Sequence, residues 1–163
     1  MRPPRDYSRL QERIAPSGDR SVLMQRAVDA LWEALSSQGV SWVGFYLWSA
    51  QAPDELSLGP RRDKPACSPI GLHGACGRAF TARRALVVTD VARLGAGYIA
   101  CDPRDRSEVV VPLLTADGSC WGVLDVDSHD LEAFTAADAI GLMQLMQRIG
   151  LSDLSHAQAT ITV

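Results

Sequence analysis

The sequence predicts an α+β fold in a single domain, an antiparallel sheet with helices on one face and long loops over the other. Segments near both ends of the chain repeat apolar residues at helical spacing. The segments between them have strand composition and hairpin turn signals. A chain of 163 residues can bury one core without disulfides or metal. Terminal helices around sequential hairpins are typical of helices packed on one face of a sheet.

The charge of the chain argues against partners that bind through excess Lys and Arg. Sixteen Lys and Arg against nineteen Asp and Glu give a formal net charge of −3, so we expect neither a nucleic-acid nor an anionic-membrane surface. The charged, Pro-bearing start is unlike a signal peptide, and no apolar run approaches the ~20 residues that span a bilayer. We therefore expect a cytoplasmic protein whose four cysteines are thiols or redox pairs.

The domain itself is expected to extend over residues 19–151. An N-terminal arm, residues 1–18, precedes it, and a flexible C-terminal tail, residues 152–163, follows it. Its first element is an amphipathic helix in "GDRSVLMQRAVDALWEALSSQG", with Asp19 or Ser21 as the N-cap. The next segment, "VSWVGFYLWSA", predicts a strand, and the turn "QAPDE" joins it to a second strand in "LSLG".

The rest of the chain predicts loops, four strands and two helices. The segment "PRRDKPACSPIGLHG" reads as a loop around one possible short strand, and "GACGRAFTARR" as a short helix. "ALVVTDV" predicts a strand, and "EVVVPLLT" and "CWGVLDVDS" predict a hairpin because an Asp-Gly pair lies between them. The last helix, in "FTAADAIGLMQLMQRIG", begins with a capping box of Thr135 and Asp138.

Alternation along two strands groups aromatic and acidic side chains. Trp42 and Tyr46 share one face of their strand, and Trp121, Asp125 and Asp127 share one face of theirs. A carboxylate in an apolar strand needs compensation. Backbone N–H groups of a loop are one possible source, and a cationic ligand beside an aromatic wall is another. The coincidence of both strands favours the ligand.

The cysteines divide into three in or next to loops and one in a strand. Cys67, Cys76 and Cys101 lie among Gly, Pro and Asp residues, whereas Cys120 begins an apolar strand and is interpreted as packing. A single loop cysteine is usually inert, but three that converge suggest a nucleophile with resolving thiols. Zinc is the competing interpretation; the absence of a C-x-x-C pair and of ligand spacing among the histidines argues against it.

Six motifs follow one another along roughly residues 20–150: "WVGFYL", "LGP...KPAC", "GACG", "YIACD", "RSEVVVPL" and "GVLDVDS". Their ordered set resembles the free methionine-(R)-sulfoxide reductases, a branch of the GAF-domain superfamily. The resemblance implies a GAF fold, with helices on one face of an antiparallel sheet and a ligand pocket under loops on the other. It also implies reduction of free methionine-(R)-sulfoxide to methionine.

The resemblance assigns a role to the thiols and to one acid. Cys101 would be the attacking thiolate, Cys67 the main resolving thiol and Cys76 a second thiol able to pair or relay. Glu108 would be the acid, kept protonated by burial and by neighbouring carboxylates, that protonates the sulfoxide oxygen. The resulting sulfenic acid would condense with a second cysteine and be reduced by a thioredoxin-like dithiol.

The resemblance also implies how substrate is held. Asp125 and Asp127 would take the substrate ammonium, which a peptide bond removes, while Trp42 and Tyr46 form the aromatic wall. No metal or organic cofactor is expected. GAF domains often pair through their terminal helices, so the resemblance implies a homodimer.

Some loop positions depart from the family pattern. Arg61, Arg62 and Asp63 stand where an aromatic residue, Gln and Gly are common, and Tyr98 stands where His is common. Arg61, Arg62 and Lys64 are interpreted as solvated loop charges. Two alternatives to the reductase stay open: a non-catalytic GAF module that binds a small ligand, and a redox sensor that uses the same cysteines.

Overall fold

The structure is a computed structural model that describes residues 2–98 and 100–163. Met1 of the N-terminal arm and Ile99 of the "YIACD" motif lie outside these ranges. Three α-helices and seven strands are present in the described residues. In chain order they are α1 (Arg20–Leu35), β1 (Trp42–Ser49), β2 (Ala52–Arg62), β3 (Ile70–Gly71), α2 (Ala75–Ala82), β4 (Leu86–Val88), β5 (Ser107–Leu114), β6 (Cys120–Ser128), α3 (Ala136–Arg148) and β7 (Ile161–Thr162).

All seven strands form one sheet in the order β3-β2-β1-β6-β5-β4-β7. Every neighbouring pair is antiparallel except β4 and β7, which are parallel. The long strands β1, β6 and β5 lie next to one another at the centre, so their side chains on one face share a single surface. The predicted α+β class and the largely antiparallel sheet are confirmed.

The two faces of the sheet carry different layers. Helices α1 and α3 pack on one face with Val43, Phe45 and Leu124 in the main core, as alternation predicts. The opposite face carries Trp42, Tyr46 and the loops, and also helix α2. The expectation that the helices share one face therefore holds for the two terminal helices but not for α2. Small buried side chains along α2 allow it to lie close against the sheet beside the pocket.

Helix termini are satisfied largely as the sequence predicts. The Asp19 carboxylate accepts the backbone N–H of Val22 at 3.1 Å, which makes Asp19 the N-cap of α1. Thr135 and Asp138 form the predicted capping box at the start of α3. Asp138 also accepts from the buried Tyr7 hydroxyl at 2.7 Å, so the same carboxylate fastens the N-terminal arm.

Both terminal segments are tied to the domain. The arm buries Tyr7, Leu10 and Ile14 in the main core. The tail, expected to be flexible, returns to the sheet, where β7 pairs with β4. Strand β4 would otherwise present an unpaired edge, and β7 satisfies its backbone groups.

Three local predictions differ from the structure. The hairpin turn lies at residues 50–51 rather than across "QAPDE", so β2 is longer than expected. The strand in "ALVVTDV" is only three residues long, Leu86–Val88. Trp121 packs toward the main core instead of sharing the face of Asp125, because the β5–β6 register slips between Leu113 and Leu114. A β-bulge of this kind redirects the side chain of the extra residue.

In the part of the chain that the structure describes, no helix has both the length and the apolar composition required to cross a membrane.

Candidate functional site

A pocket opens on the loop-covered face, between the central strands, helix α2 and the loops that follow β2 and β4. Its cavity volume is about 100 Å³. Aromatic, acidic and sulfur-bearing side chains line it together: Trp42, Tyr46, Cys76, Tyr98, Cys101, Asp102, Asp105, Glu108, Asp125 and Asp127. Seven of the eight side chains proposed from the sequence are in this set, and the eighth, Cys67, is bonded to Cys101.

The aromatic wall is formed by two residues of β1 and also anchors a loop. The Trp42 and Tyr46 rings lie 6.0 Å apart, tilted by 34°. The Trp42 indole N–H donates to the Lys64 carbonyl at 2.9 Å, and the Tyr46 hydroxyl donates to the Cys67 carbonyl at 2.9 Å. Any Cβ at Gly44 would overlap the Trp42 ring, so glycine is needed for the ring to lie over the strand. The wall therefore fixes the backbone of the loop that carries Cys67.

Three carboxyls meet in the floor of the pocket because of strand register. Asp127 of β6 pairs with both Trp42 of β1 and Glu108 of β5, and Asp125 lies two residues earlier on the same face. One carboxylate oxygen from each acid lies within 4.8 Å of the others. The Asp125 Oδ1 atom is buried and accepts no hydrogen bond from the residues that the structure describes. A buried acceptor of this kind calls for a donor from a ligand or from water.

Burial raises the pKa of all three carboxyls. Desolvation is the largest cause for each; it raises the pKa of Asp125 to about 7 and those of Glu108 and Asp127 well above their ordinary values. The charge of Asp125 raises the pKa of both neighbours further. A protonated carboxyl can therefore coexist with an ionised one near neutral pH.

Asp125→Asn is expected to stabilise the protein at alkaline pH. Its folded-state pKa, about 7, exceeds the ordinary value of 3.8, so the folded protein binds more protons than the unfolded chain between these values. The contribution of Asp125 to the free energy of unfolding therefore falls as pH rises from about 4 to 7 and stays at that lower value above pH 7. Asparagine removes this cost and still offers an oxygen to its neighbours. Guanidinium titration at pH 8 should show a free energy of unfolding about 1–4 kcal/mol above wild type.

Asp117→Asn is the matched control for that measurement. Asp117 is exposed, and hydrogen bonds from Thr115 and Ser119 lower its pKa to about 2. Its removal should therefore give no stabilisation at pH 8. An Asp125→Asn gain that is as large at pH 4 as at pH 8 would contradict the assignment of the cost to ionisation.

The cysteines occupy three distinct environments. Cys67 and Cys101 form a disulfide at the exposed mouth of the pocket, with Cα atoms 5.6 Å apart. Cys76 is buried in α2, and its thiol donates to Asp125 Oδ2 at 3.2 Å. Burial and the charges of Asp125 and Glu108 raise the pKa of the Cys76 thiol. Cys120 is half-buried, away from the pocket lining.

A network of charges around Asp102, the residue after Cys101, was not anticipated from the sequence. Its carboxylate forms ion pairs with Lys64 and Arg104 and lies 3.3 Å from the His129 Nε2 atom. Lys64, interpreted as a solvated loop charge, is thus part of the pocket rim, and Arg62 likewise pairs with Asp29 of α1. The available signal was the position of Asp102 directly beside a candidate nucleophile.

Tyr98 is a second feature of the site that the sequence pattern did not explain. Its hydroxyl donates to Glu108 Oε1 at 3.0 Å from the loop before Cys101. Burial and the charge of Glu108 raise the pKa of this phenol, so it remains a donor.

Two groups of side chains have the proximity that a metal ion needs in the described residues. Glu108, Asp125 and Asp127 form one, and Asp102, Asp105 and His129 form the other. The carboxyls of the first group have raised pKa values, which favour their protonated form. A metal ion binds the carboxylate anion instead. In the second, Lys64 and Arg104 already neutralise Asp102. The second group is therefore largely satisfied by internal ion pairs, whereas the first offers the buried Asp125 Oδ1 atom to a hydrogen-bond donor.

Known proteins are similar to this chain in sequence and in fold. A family model described as GAF domain matches residues 17–152. The free methionine-R-sulfoxide reductase of Saccharomyces cerevisiae is 37% identical over 132 residues, which span 79% of this chain and 73% of that protein. The enzyme of the same name from Escherichia coli is 36% identical over 149 residues, spanning 89% and 82%. The X-ray structure of free methionine-R-sulfoxide reductase from Neisseria meningitidis in complex with its substrate has 35% identity and a TM-score of 0.77, covering 88% of this chain and 83% of that one.

Proposed function

This chain belongs to the free methionine-R-sulfoxide reductases, a family of GAF domains, and we propose that it reduces free L-methionine-(R)-sulfoxide with Cys101 as the attacking thiolate. The observation that carries the assignment of roles is the Cys67–Cys101 disulfide at the mouth of a pocket floored by three acids. A disulfide in that place is the expected end product of one turnover.

The first step transfers oxygen from the substrate to Cys101. The thiolate attacks the sulfoxide sulfur while a proton reaches its oxygen; methionine leaves, and Cys101 becomes a sulfenic acid. Glu108 is the proposed acid, because desolvation raises its pKa and keeps it protonated near neutral pH. It lies in the pocket floor with the Tyr98 hydroxyl on one of its oxygens.

Substrate selection rests on the remaining acids and the aromatic wall. The buried Oδ1 of Asp125, which has no partner among the described residues, is the proposed acceptor for the substrate ammonium, together with Asp127. A peptide-bound sulfoxide lacks that ammonium and would leave the buried acceptor unsatisfied. Trp42, which lines the pocket, is proposed to contact the methyl-sulfur end of the substrate or its cation.

The second step regenerates the nucleophile. The Cys101 sulfenic acid condenses with the Cys67 thiol, forms the disulfide and releases water. A thioredoxin-like dithiol then reduces the disulfide and is itself oxidised, so that the cycle converts one sulfoxide and two reductant thiols into methionine, water and a disulfide. Both cysteines are solvent-exposed, which leaves the bond accessible to a protein reductant.

Cys76 is proposed to act as a hydrogen-bond donor in this cycle, as well as the second thiol implied by the resemblance. Its thiol is directed at Asp125 and its pKa is raised, so it remains protonated while Cys67 resolves Cys101. A protonated thiol is a poor nucleophile.

The test of the proposed function is NADPH consumption coupled to thioredoxin and thioredoxin reductase. The substrates are free methionine-(R)-sulfoxide, its S epimer and a peptide-bound (R)-sulfoxide. We expect turnover of the free R form, with the other two at least about 100-fold lower in kcat/KM. The free S epimer is the matched control because it carries the same ammonium and carboxylate.

Two results would change the assignment. Equal turnover of peptide-bound sulfoxide would contradict the role of Asp125 and Asp127 in holding the ammonium. No turnover of any form by folded, reduced protein would favour a ligand-binding or redox-sensing GAF module.

We also propose that the protein is a homodimer of the cytoplasm. Terminal helices α1 and α3 carry exposed apolar side chains, among them Val22 and Ile140, which favour a partner surface. A cycle that consumes reductant thiols also fits a reducing compartment. Light scattering measures the mass of the whole chain in solution. We expect the mass of a dimer for wild type and a weakened dimer for the Ile140→Glu variant.

A further inference from the structure

The two cysteine loops are linked by an ion pair as well as by the disulfide. Lys64, three residues before Cys67, pairs with Asp102, the residue after Cys101. Among the described residues, no other hydrogen bond or ion pair joins residues 63–69 to residues 100–106. Once the disulfide is reduced, this pair is the polar contact that remains between the loops.

The two partners of the pair are held independently of each other. The Lys64 backbone is held against β1, because its carbonyl accepts the Trp42 indole N–H at 2.9 Å. The Asp102 carboxylate is 12% exposed and also receives Arg104 at 3.0 Å and His129 at 3.3 Å. Hydrogen bonds from Arg104 and Lys64 hold the pKa of Asp102 below its ordinary range, so this carboxylate is charged at neutral pH.

We propose that the Lys64–Asp102 ion pair is a positioning device that holds the Cys67 loop against the Cys101 loop, so that Cys67 resolves the sulfenic acid formed on Cys101. The inference rests on the proposed function for its natural oxidant, the sulfoxide. Its physical basis is effective concentration, since fixing two loops raises the encounter rate of the groups they carry. Lys64 and Asp102 are therefore positioning residues that act through Cys67.

Arg104 provides a matched control. It pairs with the same carboxylate and has the same charge as Lys64, but it lies only two residues beyond Asp102 in the same loop. Removing Arg104 takes one cation from Asp102 without releasing one loop from the other. Lys64→Met and Arg104→Met therefore differ mainly in whether the link between loops is lost.

The experiment separates sulfenic acid formation from its resolution. Pre-reduced protein is mixed with free methionine-(R)-sulfoxide without reductant; released methionine reports the first step, and loss of the Cys67 thiol reports the second. Dimedone traps the sulfenic acid that accumulates between them. A parallel arm uses hydrogen peroxide, which oxidises the Cys101 thiolate to the same sulfenic acid and releases hydroxide.

Lys64→Met should resolve the sulfenic acid about three- to tenfold more slowly, with more dimedone adduct and unchanged release of the first methionine. Arg104→Met should resolve it at the wild-type rate, and Lys64→Arg should restore most of the loss. The gap between wild type and Lys64→Met should shrink in 1 M salt, because the pair is partly exposed.

Two outcomes would overturn the inference: wild-type resolution by Lys64→Met, or equal slowing by Arg104→Met. Failure of the proposed function would give a different result, because no methionine would be released from the sulfoxide. The peroxide arm would still compare the rates at which wild type and Lys64→Met resolve the sulfenic acid. Slower methionine release with normal resolution would also overturn it, since Lys64 would then act on the nucleophile or the substrate.

Discussion

Cys101→Ser is expected to abolish methionine formation, leaving none above the rate without enzyme. Serine keeps the shape of the side chain but removes the only atom proposed to attack the sulfoxide, and an alcohol is hardly ionised near neutral pH. The measurement is methionine released from free methionine-(R)-sulfoxide, with dithiothreitol as reductant so that no protein partner is required. Circular dichroism establishes that the variant is folded; Cys101 is exposed, so the substitution should leave the core intact.

Cys67→Ser and Cys76→Ser are the matched controls, and they divide the second step between the two remaining pocket cysteines. Without added thiol, Cys67→Ser should release a single methionine per chain and then stop with a sulfenic acid on Cys101. Cys76→Ser should still form the Cys67–Cys101 disulfide, because its hydroxyl replaces the donor to Asp125. Continued disulfide formation in Cys67→Ser would contradict Cys67 as the resolving thiol and would assign that step to Cys76.

Glu108→Gln is expected to lower kcat by about 100- to 10,000-fold, the range over which a positioned acid contributes. Glutamine preserves size and a hydrogen bond to Tyr98 but cannot deliver a proton. Binding of substrate should change less than kcat, because the ammonium is assigned to Asp125 and Asp127. Measurement of kcat and KM for the free R epimer distinguishes these effects, and a variant that keeps a third of wild-type kcat would exclude Glu108 as the acid.

The pH profile gives an independent check on the same residue. Glu108 must be protonated to act, and its pKa is raised by desolvation and by the charge of Asp125. Activity should therefore persist through neutral pH and fall as pH rises through that raised pKa. Tyr98→Phe removes a hydrogen bond that favours the ionised carboxylate, so the fall should move to higher pH. A fall that stays at the same pH in Tyr98→Phe would contradict the assignment of this limb to Glu108.

Local chemistry in the sequence was sufficient for much of the fold. Apolar spacing and caps located α1 and α3, since helix periodicity and N-cap hydrogen bonds depend on residues only a few positions apart. Strand alternation placed Trp42 and Tyr46 on the pocket face, and Asp125 with them. It was wrong for Trp121, because a bulge depends on the partner strand and leaves no mark in the periodicity of its own strand.

Contacts in the site between segments that are distant in the chain could be identified only from the tertiary structure. The ordered motifs named the cysteines and the acids as candidates, because each motif is local in the chain. They could not show that Cys67 lies against Cys101, 34 residues away, or that Cys76 donates to Asp125. The order of strands in the sheet decides those contacts.

Composition and motifs thus determined by themselves an α+β domain, its family and the residues with the required chemistry. Only the tertiary structure decided their protonation and their partners. A pKa depends on burial and on neighbouring charges, and both are properties of packing. The ion pair of Lys64 with Asp102 illustrates this: either residue alone is an ordinary loop charge, and the fold brings them together beside the two thiols.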